Sequence, residues 1–416
     1  MDILFIVPYV PSLIRVRPYN FIRALSSRGH RVSVMTLYTT EAEREDAERL
    51  AEMCHAVHAL PLPRWRSLWN SLLAIPSSRP LQVDYCWQPN LAQEIDHALG
   101  NGHVEWQSFD VIHVEHLRGV RYALFAGQLT TGNGKAVPPI IWDGVDCISL
   151  LFREAATKSQ KRMGRAVRRF ELKRTEKYEA WVAKQLRHIL LTSPRDKEFY
   201  LSLLPAQDAV EKATSMSVVP NGVDLEYFQP GPDNMREAAS LVVTGKMSYH
   251  ANIAMVLHLI EDIMPQVWAY QPEVHLVIVG KDPVKEIREL AQQPQITVTG
   301  TVDDMRPYLQ RAAVAIAPIT YGAGIQNKVL EAMACATAVV ASPIAVSAIT
   351  ADAGRDLLVA GNPEEFARCI LDLLGNPAKR SRIGLNGRQF VETNHDWVKL
   401  AASLESVYRH AVEQLK

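Results

Sequence analysis

The chain has 416 residues, is 48% hydrophobic and 22% charged, and balances 45 Lys and Arg against 45 Asp and Glu. That length exceeds what one hydrophobic core supports, so two domains are expected, and the charge balance gives no polyelectrolyte argument for nucleic acid. Five dispersed cysteines without a C-x-x-C pair argue against a metal cluster or disulfide framework and favour a reducing, cytoplasmic setting; no run approaches the ~20 apolar residues of a membrane span, and the opening MDILFIVPYVP reads as a buried strand rather than a signal peptide.

Residues 3–7 (ILFIV) are an apolar run closed by Pro8, the pattern of a central parallel strand buried on both faces. The following loop carries Arg15 and Arg17. Helical spacing of Phe21, Ile22 and Leu25, a stop at Gly29 and the strand-like RVSVMT at 31–36 complete a β-α-β unit. Such a unit is the seed of a doubly wound sheet. The G-x-G-x-x-G fingerprint is absent, which argues against an NAD enzyme. Residues 41–52 and 91–99 read as helices, and 61–80, with Trp65, Trp69 and Pro76, as a rim loop with a short helix. Trp65, Trp69 and Trp87 suit an acceptor groove, although burial is the commoner fate of such residues. Strands at 109–114 and 139–143 run into Glu115 and His116, and into Asp143 and Asp146. Their polar ends are expected to meet Arg15 and Arg17 in one crevice.

Residues 153–187 turn basic and carry Met163, Val167, Phe170, Tyr178, Trp181 and Val182 on helical spacing, which predicts one long amphipathic helix. A solvated face on a docked helix fits the pattern. So does peripheral contact with an anionic membrane or a lipid-diphosphate acceptor, at the inner face of the cell membrane. Residues 189–193 form a strand, and Ser193 is placed to cap a helix that begins at Pro194. The turn Asn221-Gly222 and the proline-rich 227–233 mark a domain boundary.

The second half repeats the α/β rhythm, with strands at 241–245, 275–280, 296–300 and 313–317 and helices at 252–269, 363–374 and 378–390. Its centre is the stretch 317–340, APITYGAGIQNKVLEAMACATAVV. A strand feeds a loop with Gly322 and Gly324, then a helix from about Gln326, where free N–H groups and the helix dipole favour an anion. Lys328 adds a mobile positive charge, and Glu331, one turn on, can accept two hydroxyl hydrogen bonds. Phosphate plus a diol is what a nucleotide presents. No Asp-x-Asp ends a strand in this half, so metal independence is expected.

Three segments, SVVPNGVDLEYFQP, LVVTGKMSYHANI with HLVIVGKDP, and GAGIQNKVLEAMACATAVVAS, resemble the retaining nucleotide-sugar glycosyltransferases of family 4. The resemblance is strong over 218–341 and weaker before. It implies the α/β GT-B fold, two doubly wound Rossmann-like domains facing across a cleft. Residues 1–225 would form the acceptor side, with a last helix at about 397–416 packing back on it, and 226–396 would bind the donor. The implied reaction moves a hexosyl group from a nucleotide-diphosphate sugar to a glycan or lipid-linked acceptor, with no cofactor and with the leaving phosphate taking the acceptor proton. The Arg-x-Arg loop and the IQNKVLEAMA spacing are similar to members in bacterial exopolysaccharide assembly.

By the same resemblance, Glu331 matches the second glutamate of an E-x7-E motif and would hold the ribose hydroxyls; Ala323 replaces the first. Gly322, Gly324, Ile325, Gln326 and Asn327 would surround the donor. Gly245 and Lys246 match a Gly-Arg pair beside the diphosphate, and a usual lysine falls at about Ala251, beside Asn252. Lys328 is placed to replace it. Asn221 matches an interdomain turn. Among His113, Glu115 and His116, His116 is the expected catalytic histidine, with Lys246 and Lys328 stabilising the leaving group. Two other readings stay open: a sugar-nucleotide 2-epimerase on the same fold, and a catalytically silent partner subunit, which Ala323 would allow.

Overall fold

The computed structural model describes residues 1–99, 109–129, 137–158, 162–232, 235–322 and 324–415, with the backbone alone at 155–158 and 162–169. The chain divides into two compact units, Met1–Pro220 with Trp397–Lys416, and Asn221–Asp396.

The first unit is built on a parallel seven-stranded sheet. Its strands are β1 (Asp2–Val7), β2 (Arg31–Tyr38), β3 (Ala56–Pro61), β4 (Val111–Glu115), β5 (Ile140–Val145), β6 (His188–Leu191) and β7 (Met216–Val218). Their order is β3-β2-β1-β4-β5-β6-β7. The apolar run in β1 is buried throughout because alternate side chains feed two cores: Leu4 and Ile6 join one, and Ile3, Phe5 and Val7 the other. The chain winds outward from β1 to β3, then returns to place β4 on the other side of β1. That reversal makes the gap between the carboxyl ends of β1 and β4 the natural ligand position of the sheet. The helix Arg64–Ala74 occupies the middle of 61–80, the segment expected to be a rim loop with a short helix, and β3 ends where that segment begins. An edge strand is only half-buried, so β3 lacks the apolar run that marks β1.

Arg17 and Asp143, expected to line an acceptor crevice, are instead buried against each other. Arg17 Nε donates to Asp143 Oδ2 at 2.8 Å, and Arg17 Nη1 reaches the Pro220 carbonyl at 3.3 Å. Asp143 Oδ1 accepts from Val145 N at 3.0 Å and so holds Val145 at φ 64°, a conformation that β-branched residues avoid. His113 is a core residue: it stacks on Phe5 at 4.4 Å, and its Nδ1 lies 2.8 Å from the Tyr408 hydroxyl of the helix Trp397–Glu413.

The basic segment is two helices, Ile148–Lys158 and Arg162–Gln185. The side chains of Met163 and Val167 lie outside the described residues. The second helix buries Glu171, Arg174, Thr175 and Glu179 beside Tyr178 and Val182, while Phe170 and Trp181 are exposed. Among the described residues, the apolar positions expected to share one face are divided between the core and the surface. Burial of the charges follows from their partners. Glu179 accepts the N–H groups of Ile148 and Ser149 at 2.9 and 3.2 Å, and Arg174 binds the carbonyls of Ala74 and Ser77 at 2.7 and 2.6 Å. Ser193 caps the helix Pro194–Ser202 as its sequence position implies. Trp87 lines a groove of about 740 Å³ with Arg121, Lys177, Tyr178 and Trp181, whereas Trp65 and Trp69 are exposed.

The second unit is a parallel six-stranded sheet of β8 (Glu237–Thr244), β9 (His275–Val279), β10 (Ile296–Val298), β11 (Ala312–Ala317), β12 (Ala338–Ala341) and β13 (Leu358–Val359). The order β10-β9-β8-β11-β12-β13 repeats the reversal, now between β8 and β11. Among the described residues, no helix is long and apolar enough to cross a membrane.

Candidate active site

In the second unit, the loops after β8 and β11 flank the reversal, and the residues singled out from the sequence lie on them. Gly245 follows β8, and Gly280 follows β9. A Cβ on Gly280 would sit 1.6 Å from the Gly245 carbonyl oxygen, and one on Gly245 would sit 2.7 Å from Asn252 Nδ2. These glycines therefore permit close packing of two loops and a helix, beyond ending their strands. Asn252, on the helix His250–His258, donates from Nδ2 to the Lys246 carbonyl at 3.0 Å.

Lys328 stands in the first turn of the helix Asn327–Ala334, which follows β11 through the glycine loop. Its Nζ donates to Asn252 Oδ1 at 2.6 Å and lies 3.7 Å from Met255 Sδ. The expected mobile cation is thus a fixed one, and it reaches the helix where the sequence has Ala251 and no lysine. Burial lowers the Lys328 ammonium to a pKa of about 8, with Glu331 partly restoring it. Burial raises the Glu331 carboxyl to about 7, with Lys328 opposing. Each group is costly to charge alone and eases the cost of the other. Both are poised to respond to a polar, anionic ligand.

Ahead of this helix, Gly324 has φ 73° and Gln326 is the N-cap residue, its Nε2 donating to the Gly324 carbonyl at 3.4 Å. The Asn327 Oδ1 atom is buried without a hydrogen bond. Ile325 is buried in the second unit's core, so its side chain anchors the loop. Gly322 is described, and Ala323 lies outside the described residues. Lys246 is exposed, with its Nζ 3.8 Å from Asp282. Asn221 occupies another neighbourhood, where its carbonyl accepts from His395 Nδ1 at 2.7 Å. The sequence reading missed one pair. His250 Nδ1 and the Tyr321 hydroxyl are 2.8 Å apart with the rings stacked at 9°, joining the two loops. No spacing signal links residues so far apart in sequence.

The reversal in the first unit gathers a second group. His116 begins the helix His116–Ala126 at φ 66°, a strained position of the kind that clusters at functional sites. Its Nδ1 accepts from Arg118 N at 3.1 Å, and burial lowers its pKa to about 3. The neutral ring therefore carries its proton on Nε2 and can donate a hydrogen bond there. Glu115 is buried, and its Oε1 accepts from the Tyr9 hydroxyl at 3.0 Å, while Oε2 has no hydrogen-bond partner. Burial and the nearby Asp143 raise its pKa to about 8, which makes it a neutral acid at pH 7. A carboxylate ending a buried strand was the available signal for it. Arg15 lies 4.5 Å over the Tyr9 ring and pairs with Glu43 at 3.1 Å. Among the described residues, no group of three or more His, Cys, Asp or Glu is arranged to hold a metal ion.

Residues 238–376, which contain the second unit's cluster, match the family Glycosyl transferases group 1. The chain is 29% identical over 212 residues to the phosphatidyl-myo-inositol mannosyltransferase of Mycolicibacterium smegmatis, covering 48% of this chain and 52% of that protein. It is likewise 29% identical over 219 residues to the alpha-maltose-1-phosphate synthase of the same organism, covering 46% and 56%. The chain thus spans about half the length of the curated relatives it matches. Across 99% of both chains, the fold is that of sucrose-phosphate synthase from Thermosynechococcus elongatus, at 19% identity and a TM-score of 0.70. Anabaena HepE, solved in complex with UDP, is similar over 99% of this chain and 100% of its own at 13% identity and a TM-score of 0.66. Residues 238–376 thus match a group 1 glycosyl transferase family model, in a chain with the GT-B fold.

Proposed function

We propose that the protein is a retaining glycosyltransferase that moves a hexosyl group from a nucleoside-diphosphate sugar to a glycan or lipid-linked acceptor, in assembly of an exopolysaccharide or other cell-surface glycan. The observation that carries this reading is the Lys328 ammonium, fixed by Asn252 at the β8/β11 reversal one helical turn from Glu331. In this reading the second unit takes the donor: Glu331 accepts the ribose hydroxyls, while Lys328, Lys246 and the N–H groups at the start of the Asn327–Ala334 helix face the diphosphate. These cations and dipoles oppose the charge that grows on the leaving group, without a metal ion. The first unit takes the acceptor, and His116 Nε2 donates to a sugar or acceptor oxygen. Related names support a hexosyl donor. One relative is a GDP-mannose-dependent mannosyltransferase, and HepE is solved with UDP-glucose. The two differ in base, so both nucleoside diphosphates enter the test.

Calorimetric titration with UDP and GDP tests the reading. One of them is expected to bind, and Glu331→Ala to weaken it at least about tenfold, ~1.4 kcal/mol. Binding needs the Glu331 carboxylate and the Lys328 ammonium together. Affinity should therefore fall as pH drops below about 7, where Glu331 takes a proton, and as pH rises above about 8, where Lys328 loses one. Glu331→Ala should remove the acid limb alone. Unchanged affinity in Glu331→Ala would overturn the site assignment.

A further inference from the structure

The helix Arg64–Ala74 is built inside out. Its protein-facing side is small and polar. Ser67 and Ala74 are buried, Asn70 Nδ2 donates to the Trp87 carbonyl at 2.8 Å, and Ser71 Oγ donates to the Ser67 carbonyl at 2.9 Å. Trp65, Leu68, Trp69, Leu72 and Leu73, with Ile75 just beyond the helix, face away, each at least 51% exposed. They recur at helical spacing, so they form one continuous apolar stripe. Monomeric soluble proteins seldom leave so many large apolar side chains together in water.

The helix cannot relieve this by rolling over. Arg174 clamps its end from below by binding the Ala74 and Ser77 carbonyls, and that guanidinium also lies 4.8 Å over the exposed Phe170 ring. Phe170 is thereby held beside the end of the stripe. The charge on the stripe's own segment is positive. From residue 53 to residue 83 the chain has no Asp or Glu, while Arg64 and Arg66 frame the stripe; Arg79 is paired with Asp84 at 2.9 Å. Lys173 and Lys177, exposed on the neighbouring helix, add to the positive charge.

We infer that this helix lies flat in the interfacial layer of an anionic lipid bilayer. Eleven residues span only about 16 Å, too short to cross a bilayer and suited to lying along one. Leucine side chains enter the acyl boundary, the two tryptophans sit at headgroup level, and the arginines extend their charges to lipid phosphates. This places the membrane contact on residues 64–75, with the basic helix Arg162–Gln185 as its support. The inference is independent of the donor-site reading, because vesicle binding requires neither nucleotide nor acceptor.

Co-sedimentation of the whole protein with vesicles tests it. The protein is expected to bind phosphatidylcholine vesicles containing phosphatidylglycerol, and to bind pure phosphatidylcholine more weakly. The triple variant Trp65→Ser/Trp69→Ser/Leu72→Ser should lose binding by at least about tenfold with no fall in Tm, since the three side chains are exposed. Arg64→Ser/Arg66→Ser should weaken binding to the anionic vesicles alone. Three results would overturn the inference: no sedimentation with anionic vesicles; full binding by the triple variant, which would put the contact elsewhere; or a dimer in solution that the triple variant abolishes without any vesicle binding, which would make the stripe an interface between two copies.

Discussion

Replacing Lys328 by methionine is expected to lower turnover at least about a hundredfold, ~2.7 kcal/mol, while leaving the fold intact. Methionine keeps the side-chain stem against Met255 and removes the ammonium alone. The expected effect is large because the charge is held in a partly buried site, where water screens it poorly and its position is fixed before the reaction begins. The diphosphate is more negative in the transition state than in the bound donor sugar, so the loss should fall more on kcat than on affinity for the donor sugar. Asn252→Ala, which frees the lysine without removing it, should lie between the two. Lys246 is exposed and faces Asp282 at 3.8 Å, so Lys246→Met should cost less than Lys328→Met. Nucleoside diphosphate release in the presence of acceptor measures all three. A loss below about tenfold for Lys328→Met would end its leaving-group role.

Breaking the Arg17–Asp143 pair should destabilise the first unit by about 3–5 kcal/mol, because either partner alone leaves a buried charge uncompensated. Both side chains are almost fully buried, so solvent cannot take over. Asp143→Ala removes a further bond, the acceptor for Val145 N that holds the turn after β5. Asp143→Asn retains an acceptor for that bond and should be milder. Denaturant unfolding followed separately for the two units provides the measurement, since a single transition is not assured in a chain of two units. A shift below about 1 kcal/mol for Arg17→Met would show that the pair is not structural.

The two cases differ in what the chain discloses. Lys328 and Glu331 are three residues apart, and their shared helix face follows from spacing alone. The partner of Lys328 is Asn252, 76 positions away, and only the packing of two loops at a sheet reversal joins them. Similarly, Arg17 and Asp143 looked like crevice residues because each stands at the end of a strand or in a loop. Their burial depends on the helix Val16–Ser27 bringing Arg17 to Asp143 of β5, a contact between distant segments.

Fold class and most strands were legible in the residues alone. Strands buried on both faces in a parallel sheet must be continuous apolar runs, and such runs need no partner to be read. The sequence also set the glycine loop and the helix start at Gln326, which are local features. It did not reveal edge strand β3, whose half-buried residues carry no such run. Nor did it reveal the protonation of His116 and Glu115, which burial controls. Most of all, it could not say which face of Arg64–Ala74 turns inward. Periodicity shows that a helix has two faces, but only the surrounding carbonyls and Arg174 decide that the polar one is buried.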